Sequence, residues 1–167
     1  DEPVADMFAK FDDMPVAAAS IAQVHFAVTN DGREVAVKVL RPDIEEAFAR
    51  DLDLLHWGAD LIERTRPDLR RLKPREVVVT LATTVEMEMD LRFEAAAAVE
   101  IAENFEGDTD FKVPNVDWGR TGQRVMTTER MAGGSLDDRD GIEAAGHDPL
   151  DVTAKAARVT FKQVFRD

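Results

Sequence analysis

The sequence predicts an α+β fold, a small antiparallel sheet packed against long helices. Three observations predict it. Two apolar runs, Ile21–Val28 and Val35–Leu40, meet at Asn30-Asp31-Gly32, a strong hairpin signal. Two longer stretches then repeat apolar residues at steps of three and four, the helical period. A further pair of short runs between 113 and 129 returns the chain to a sheet.

The elements follow in order. Residues 3–11, PVADMFAKF, read as a short helix with Met7, Phe8 and Phe11 on its apolar side. The hairpin occupies Pro15 to Leu40. Its second run, Val35-Ala36-Val37-Lys38-Val39-Leu40, is apolar on both faces, as in a strand covered on both sides. Lys38 is the one charge in it. A buried ammonium needs a carboxylate or an anionic ligand, because unpaired burial is costly. Ahead of the hairpin, Ala17-Ala18-Ala19-Ser20 makes a tight turn of small residues that lets backbone approach a ligand.

Arg41-Pro42-Asp43 ends the strand and opens a helix, with Asp43 as N-cap. Ile44, Phe48, Leu52, Leu55, Ala59 and Ile62 form its apolar stripe, to about Arg66. A basic linker follows, with Arg70, Arg71, Lys73 and Arg75. Pro74 suits the first turn of a second long helix, from about Arg75 to Phe105. Asp90 and Glu94 lie four apart on one face of it, where a cation would be welcome. Glu88 lies about 120° around the axis from Glu94 in a straight helix. A straight helix would therefore aim the two differently, which leaves room for a bend near Met89.

Val113 to Trp118 reads as a short edge strand, the only strand position that tolerates Pro114. Thr121-Gly122 turns the chain and Gln123 to Glu129 returns as a strand. Arg130-Met131-Ala132-Gly133-Gly134 leaves the sheet as a flexible connector. Ser135 to Asp138 caps a short acidic helix, and a last helix runs from about Asp151 to Phe165.

Composition bounds the function. The chain has 167 residues, 44% of them hydrophobic, enough for one domain with a real core. No window approaches 18 uninterrupted apolar residues, and no signal-peptide pattern is present. There is no cysteine, which excludes disulfides and thiolate chemistry. His25, His56 and His147 have no metal-ligand spacing. A formal net charge of −13 argues against a nucleic-acid partner and against simple electrostatic docking on an anionic membrane. The chain begins at Asp1 without Met and closes on Phe165-Arg166-Asp167, so it reads as a piece of something longer.

A small-residue turn, a hairpin and a strand lysine form the nucleotide-holding half of a protein kinase. PVAAASIAQVH followed by VAVKVLRPDI resembles the UbiB/ABC1/ADCK family of atypical kinase-like proteins, over nearly the whole chain. The family has an alanine-rich loop where ordinary kinases have glycines, and AAAS stands at that place. The resemblance implies a kinase-like small lobe over residues 1–131, then a hinge and the start of a truncated second lobe over 132–167.

It also implies ATP and Mg²⁺ as cofactors. Lys38 would hold the α- and β-phosphates, and Glu94 would pair with it. Ala36, on the same strand face, would leave room for the base. Val16, Ala17, Ala18, Ala19, Ser20, Ile21, Ala22 and Gln23 would cover the nucleotide, and Glu129 and Met131 would mark the hinge. Alanine enters positive-φ conformations at a cost, so this loop is expected to be stiffer than a glycine loop. Without the family, Glu94 reads better as a solvated helix carboxylate, and Lys38 equally well as a lysine reaching out to water.

Glu88 and Asp90 match the family's ExD motif, which faces a KxGQ helix. No KxGQ occurs in this chain, so the two acids are expected to look unpaired. Val164-Phe165-Arg166-Asp167 falls just before the family's catalytic His-Ala-Asp segment. No catalytic residue and no Mg²⁺ ligand is therefore expected here. The family places the whole protein in ubiquinone biosynthesis as an atypical kinase or ATPase. It would sit in the bacterial cytoplasm against the inner membrane, with a quinone-precursor lipid and other ubiquinone-biosynthesis proteins as partners and membrane contact through other segments. Two alternatives stay open: a non-catalytic, nucleotide-switched lipid-binding or scaffold module, and a small-molecule phosphotransferase.

Overall fold

The computed structural model describes residues 3–165. Its centre is a five-stranded antiparallel sheet. The strands are β1 (Phe8–Phe11), β2 (Ala17–Ala18), β3 (Ala22–Thr29), β4 (Glu34–Leu40) and β5 (Val125–Glu129), in the order β1-β3-β4-β5, with β2 also on β3. The helices are α1 (Val4–Met7), α2 (Ile44–Thr65), α3 (Pro74–Glu88), α4 (Leu91–Asn104), α5 (Arg139–Ala144) and α6 (Pro149–Phe165).

The β3–β4 hairpin turns where Asn30-Asp31-Gly32 predicts. Gly32 takes φ +85°, a conformation that costs glycine little, and its N–H donates to the Thr29 carbonyl at 2.9 Å. Alternation along β4 then splits the core in two. Leu40 joins Ala22, Met126, Leu91 and Ala95 on the face covered by α4. Val35 and Val37 join Phe8 and Ala27 on the other face, under β1 and α1. Core residues thus stand on both faces of β4, but the Glu34–Lys38 side of the strand is only partly covered.

Four local expectations are corrected. Residues 3–11 are not one helix: helix ends at Met7, and Phe8–Phe11 pairs with β3 as an edge strand. Burying Phe8 against the sheet outweighs the weak propensity of a nine-residue segment. Residues 113–118 form no strand. Only Val116 bridges Thr128, because Pro114 offers no N–H and Trp118–Arg120 coils into a 3₁₀ turn. Asp43 holds the N-cap position of α2, but at φ 59° and without a capping bond from its carboxylate.

The helix expected over 75–105 is two helices, α3 and α4. Asp90 is extended between them, and its carboxylate accepts from the Arg92 N–H at 3.1 Å, capping α4. The Leu91 N–H donates to the Gln123 carbonyl at 2.9 Å, while its side chain is 1% exposed in the core. The chain breaks here because Leu91 is anchored to the sheet from both its backbone and its side chain. The basic linker is itself a 3₁₀ turn, Pro67–Leu72, and α2 and α3 pack as an antiparallel pair.

Helix α6 docks on the loop after α4 through charge. Asp108 accepts from Arg158 at 2.8 and 2.9 Å and from Lys162 at 2.7 Å, and its side chain is 10% exposed. Val159 is buried between these contacts.

Two outcomes follow from this packing. Leu91→Ala leaves a cavity where α4 meets the sheet, and should lower unfolding stability in urea by about 2–5 kcal/mol. Arg158, then Lys162, holds the Asp108 carboxyl far below the usual carboxylate range. A depressed folded pKa stabilises above the unfolded value, about 3.9, and the contribution fades as pH falls below it. Protection of the α6 amides, referred to intrinsic exchange at each pH, should therefore fall below about pH 4. Asp108→Asn should lower that protection at neutral pH and flatten its pH dependence.

Candidate nucleotide site

Lys38 and Glu94 meet. Helix α4 lies across the sheet face that carries Leu40, so its residue 94 faces β4 one turn after the Asp90 cap. The Lys38 ammonium donates to both Glu94 oxygens, at 2.7 and 2.6 Å. The break at Met89-Asp90 sets this aim, because α4 takes its own direction from Leu91. An ammonium has three N–H donors, so the pair leaves one donor and the orientation of the stem for a further anion.

The ammonium is not sealed inside the sheet, as the apolar run of β4 suggests. The Lys38 side chain is 29% exposed and that of Glu94 49%. A pair this wet contributes about 0–1 kcal/mol to stability. Its consequence is geometric: it fixes a long, flexible side chain in one direction.

Cross-strand register defines what shares a face with Lys38. Val24 and Met126 stand directly opposite it. Ala36, two residues along β4, shares the face and stands opposite Phe26 and Thr128. Val24, Phe26, Met126 and Thr128 were absent from the sequence-based site. A turn centred on Asp31, which joins Thr29 to Arg33, yields the first two by counting outward, but the sequence alone does not choose it over a two-residue turn.

The same register puts Gln23 opposite Val39, on the face away from Lys38. His25 shares that face. It is 9% exposed, with Nδ1 2.9 Å from the Asp12 carbonyl and its ring stacked on Phe11, which makes it a structural histidine.

The alanine turn is a second, tighter hairpin. The Val16 N–H donates to the Val24 carbonyl at 2.8 Å, Ala17 and Ala18 pair with Val24 and Gln23, and the Ala19 N–H donates to Ala22 at 2.8 Å. Ser20 is exposed at its tip, Ile21 packs partly on the core, and Ala22 is core itself at 2% exposure. None of these residues has a positive φ, so the turn forms no concave nest of N–H groups. Arg41 pins it from below: its Nε donates to the Ala19 carbonyl at 3.1 Å and its N–H to Ile21 at 2.9 Å.

The other site residues lie around this centre. Glu88 is exposed beside a hollow of about 220 Å³ lined by Ser20, Ile21, Phe48, Val85 and Met89, directly under the alanine turn. Asp90 is not unpaired. Besides capping α4 it receives the Arg92 guanidinium at 2.9 and 2.6 Å, which holds its carboxyl below the usual range.

At the exit of β5, the Glu129 carboxylate accepts from Lys112 at 2.6 Å and from Asn115 at 2.9 Å, and Lys112 lowers its pKa. Glu129 stands opposite Val35, so its side chain leaves on the face away from Lys38. Met131 is 43% exposed. Of the closing VFRD segment, Arg166 and Asp167 lie outside the described residues.

The donor set fits a phosphate-bearing ligand at Lys38. Among the described residues no three acid, histidine or cysteine side chains converge on one point. Among the same residues no helix is long and apolar enough to cross a membrane.

A twisted antiparallel sheet whose central lysine is oriented by an acid on a packed helix defines a protein-kinase-like fold. The chain belongs to the ABC1 atypical kinase-like family, whose domain matches residues 1–167. It is 45% identical over 164 residues to a "Probable protein kinase UbiB" of Xylella fastidiosa strain M12, covering 98% of this chain and 30% of that protein. It is 46% identical over 170 residues to the protein of the same name in Xanthomonas euvesicatoria pv. vesicatoria, covering 99% of this chain and 30% of that one. Among solved structures, the Rv3197–erythromycin complex of Mycobacterium tuberculosis matches 80% of this chain and 33% of its own, with a TM-score of 0.67 and 35% identity. The chain thus spans about a third of the length of the proteins it matches.

The cap at Asp90 carries a testable outcome. Asp90→Ala removes the acceptor for the Arg92 N–H, so amide exchange at Arg92 and Phe93 should rise several-fold while exchange in β4 stays unchanged.

Proposed function

We propose that this chain is the ATP-binding portion of an atypical kinase or ATPase that supports ubiquinone biosynthesis. The observation that carries the reading is the bidentate Lys38–Glu94 pair beside Ala36 on one open sheet face. Lys38 is presented to the α- and β-phosphates, with Glu94 fixing its direction. The alanine turn covers the phosphates without a nest of N–H groups, which suits a weak site. The base lies toward Ala36 and the backbone of 129–131. The names of the UbiB relatives support the link to ubiquinone.

In this reading residues 1–131 are the small lobe, and 132–167 are the hinge and the opening of the second lobe. Phosphoryl transfer also needs a positioning Asp and Mg²⁺ ligands. Those groups, inner-membrane contact, and any quinone-precursor lipid or ubiquinone-biosynthesis partner belong to other parts of the whole protein. Within this chain Lys38 binds and orients the triphosphate, Glu94 keeps Lys38 extended, and Glu88 faces the hollow beneath the alanine turn.

Titrating ATP into the full-length protein tests this. A lost charge-assisted hydrogen bond costs about 1.5–3 kcal/mol, so Lys38→Ala should weaken ATP binding roughly tenfold or more. Unchanged ATP affinity in Lys38→Ala would overturn the reading in favour of a scaffold. The purified 167-residue chain should show no ATP turnover. Turnover by it would show that the catalytic groups had been misplaced.

A further inference from the structure

We infer that Arg130 is a specificity-determining residue for the base of the bound nucleotide, with Phe26 as its platform. The inference rests on the nucleotide reading of the Lys38 face. It adds a side chain to an end of the site where only backbone was expected to act.

Three observations carry it. The Arg130 guanidinium lies over the Phe26 ring, 4.0 Å from its centroid. Phe26 is the cross-strand partner of Ala36, so the ring stands on the face that holds Lys38. The guanidinium is tethered there from one further side, Nη1 donating to the Glu34 carboxylate at 3.4 Å, while the backbone N–H of Arg130 donates to the Glu34 carbonyl at 3.2 Å and fixes where the side chain starts. Arg130 leaves the end of β5 and folds back over the sheet, rather than following the connector outward.

The geometry of β4 places the two cations at opposite ends of one surface. Glu34, Ala36 and Lys38 alternate onto the same face, with about 7 Å between successive members. Lys38 marks an anion-binding end, and Ala36 leaves a shallow floor. Arg130, beside Glu34, marks the far end with a planar cation whose inner face is covered by Phe26. Its side chain remains 39% exposed, so the outer face and the N–H edge are open to a second planar group. Nucleobases stack on guanidinium planes and accept hydrogen bonds from their edges. A ligand that is anionic at one end and flat and aromatic at the other, a purine nucleotide, meets both ends of this surface.

A lysine in place of Arg130 would keep the charge but lose the plane and the forked donors. Arg130→Lys should therefore behave nearly as Arg130→Ala. Phe26→Leu, which removes the platform, should show the same trend more weakly.

The test titrates full-length protein with two probes, ATP and inorganic tripolyphosphate, which lacks base and ribose. Arg130→Ala should weaken ATP binding roughly tenfold and leave tripolyphosphate binding unchanged. Lys38→Ala should weaken both. If Arg130→Ala and Arg130→Lys bind ATP like the parent protein, the inference is overturned while the nucleotide reading stands. The inference also fails if Arg130→Ala weakens both probes equally, since the residue would then act on the fold or the phosphates. If Lys38→Ala alters neither probe, the nucleotide reading itself fails. Thermal melting of each variant, and Arg130→Lys as the milder change, keep a folding defect distinct from a binding one.

Discussion

One ion pair organises the functional face. Lys38 and Glu94 are 56 residues apart in sequence and meet with both carboxylate oxygens engaged. Each structural choice around them serves that meeting. Strand β4 is central so that Lys38 rises from the middle of the sheet. Helix α4 is anchored by the buried Leu91 so that Glu94 arrives one turn later, above the lysine. The pair is wet enough that it adds little to stability. What the fold gains is a defined direction for an ammonium that would otherwise sample many rotamers, the preorganisation that the proposed phosphate site requires.

The break between α3 and α4 is the second constraint. A continuous helix from Pro74 to Asn104 would have to choose between burying Val78 against α2 and burying Leu91 and Ala95 against the sheet. The chain does both by stopping at Met89 and restarting under an Asp90 cap. That economy also explains the separate fates of the three acids in this stretch. Glu88 ends α3 beneath the alanine turn, Asp90 caps and takes Arg92, and Glu94 takes Lys38.

Much of this was legible in the residues. The hairpin was carried by the Gly32 turn and the apolar β4 run, and α2 by its three-four stripe. Glu94 as partner of Lys38 came only with the family resemblance, because an isolated helix glutamate carries no such signal. Three features were hidden for physical reasons. Strand β1 depends on a tertiary partner, β3, that a local window around Phe8 does not contain. The differing aims of Glu88 and Glu94 pointed to a bend near Met89, but with no glycine or proline to announce it the full break was hidden, since it arises from Leu91 docking on the sheet. The side of Gln23 follows from a register that only the full β3–β4 pairing specifies. The Arg130–Phe26 stack was hidden likewise, joining residues 104 positions apart.

The α2–α3 excursion between β4 and α4 has a consequence for how the fold assembles and varies. The helices run out and back as an antiparallel pair, so the two ends of the excursion are returned to the same place. Once the two helices are paired, the Lys38–Glu94 contact spans the feet of a hairpin and not a slack coil of 56 residues, and the loop left to close is effectively short. The hairpin also acts as a telescoping arm: whole turns added to or removed from both helices would shift its tip while leaving its feet, and the lysine and glutamate beside them, in register.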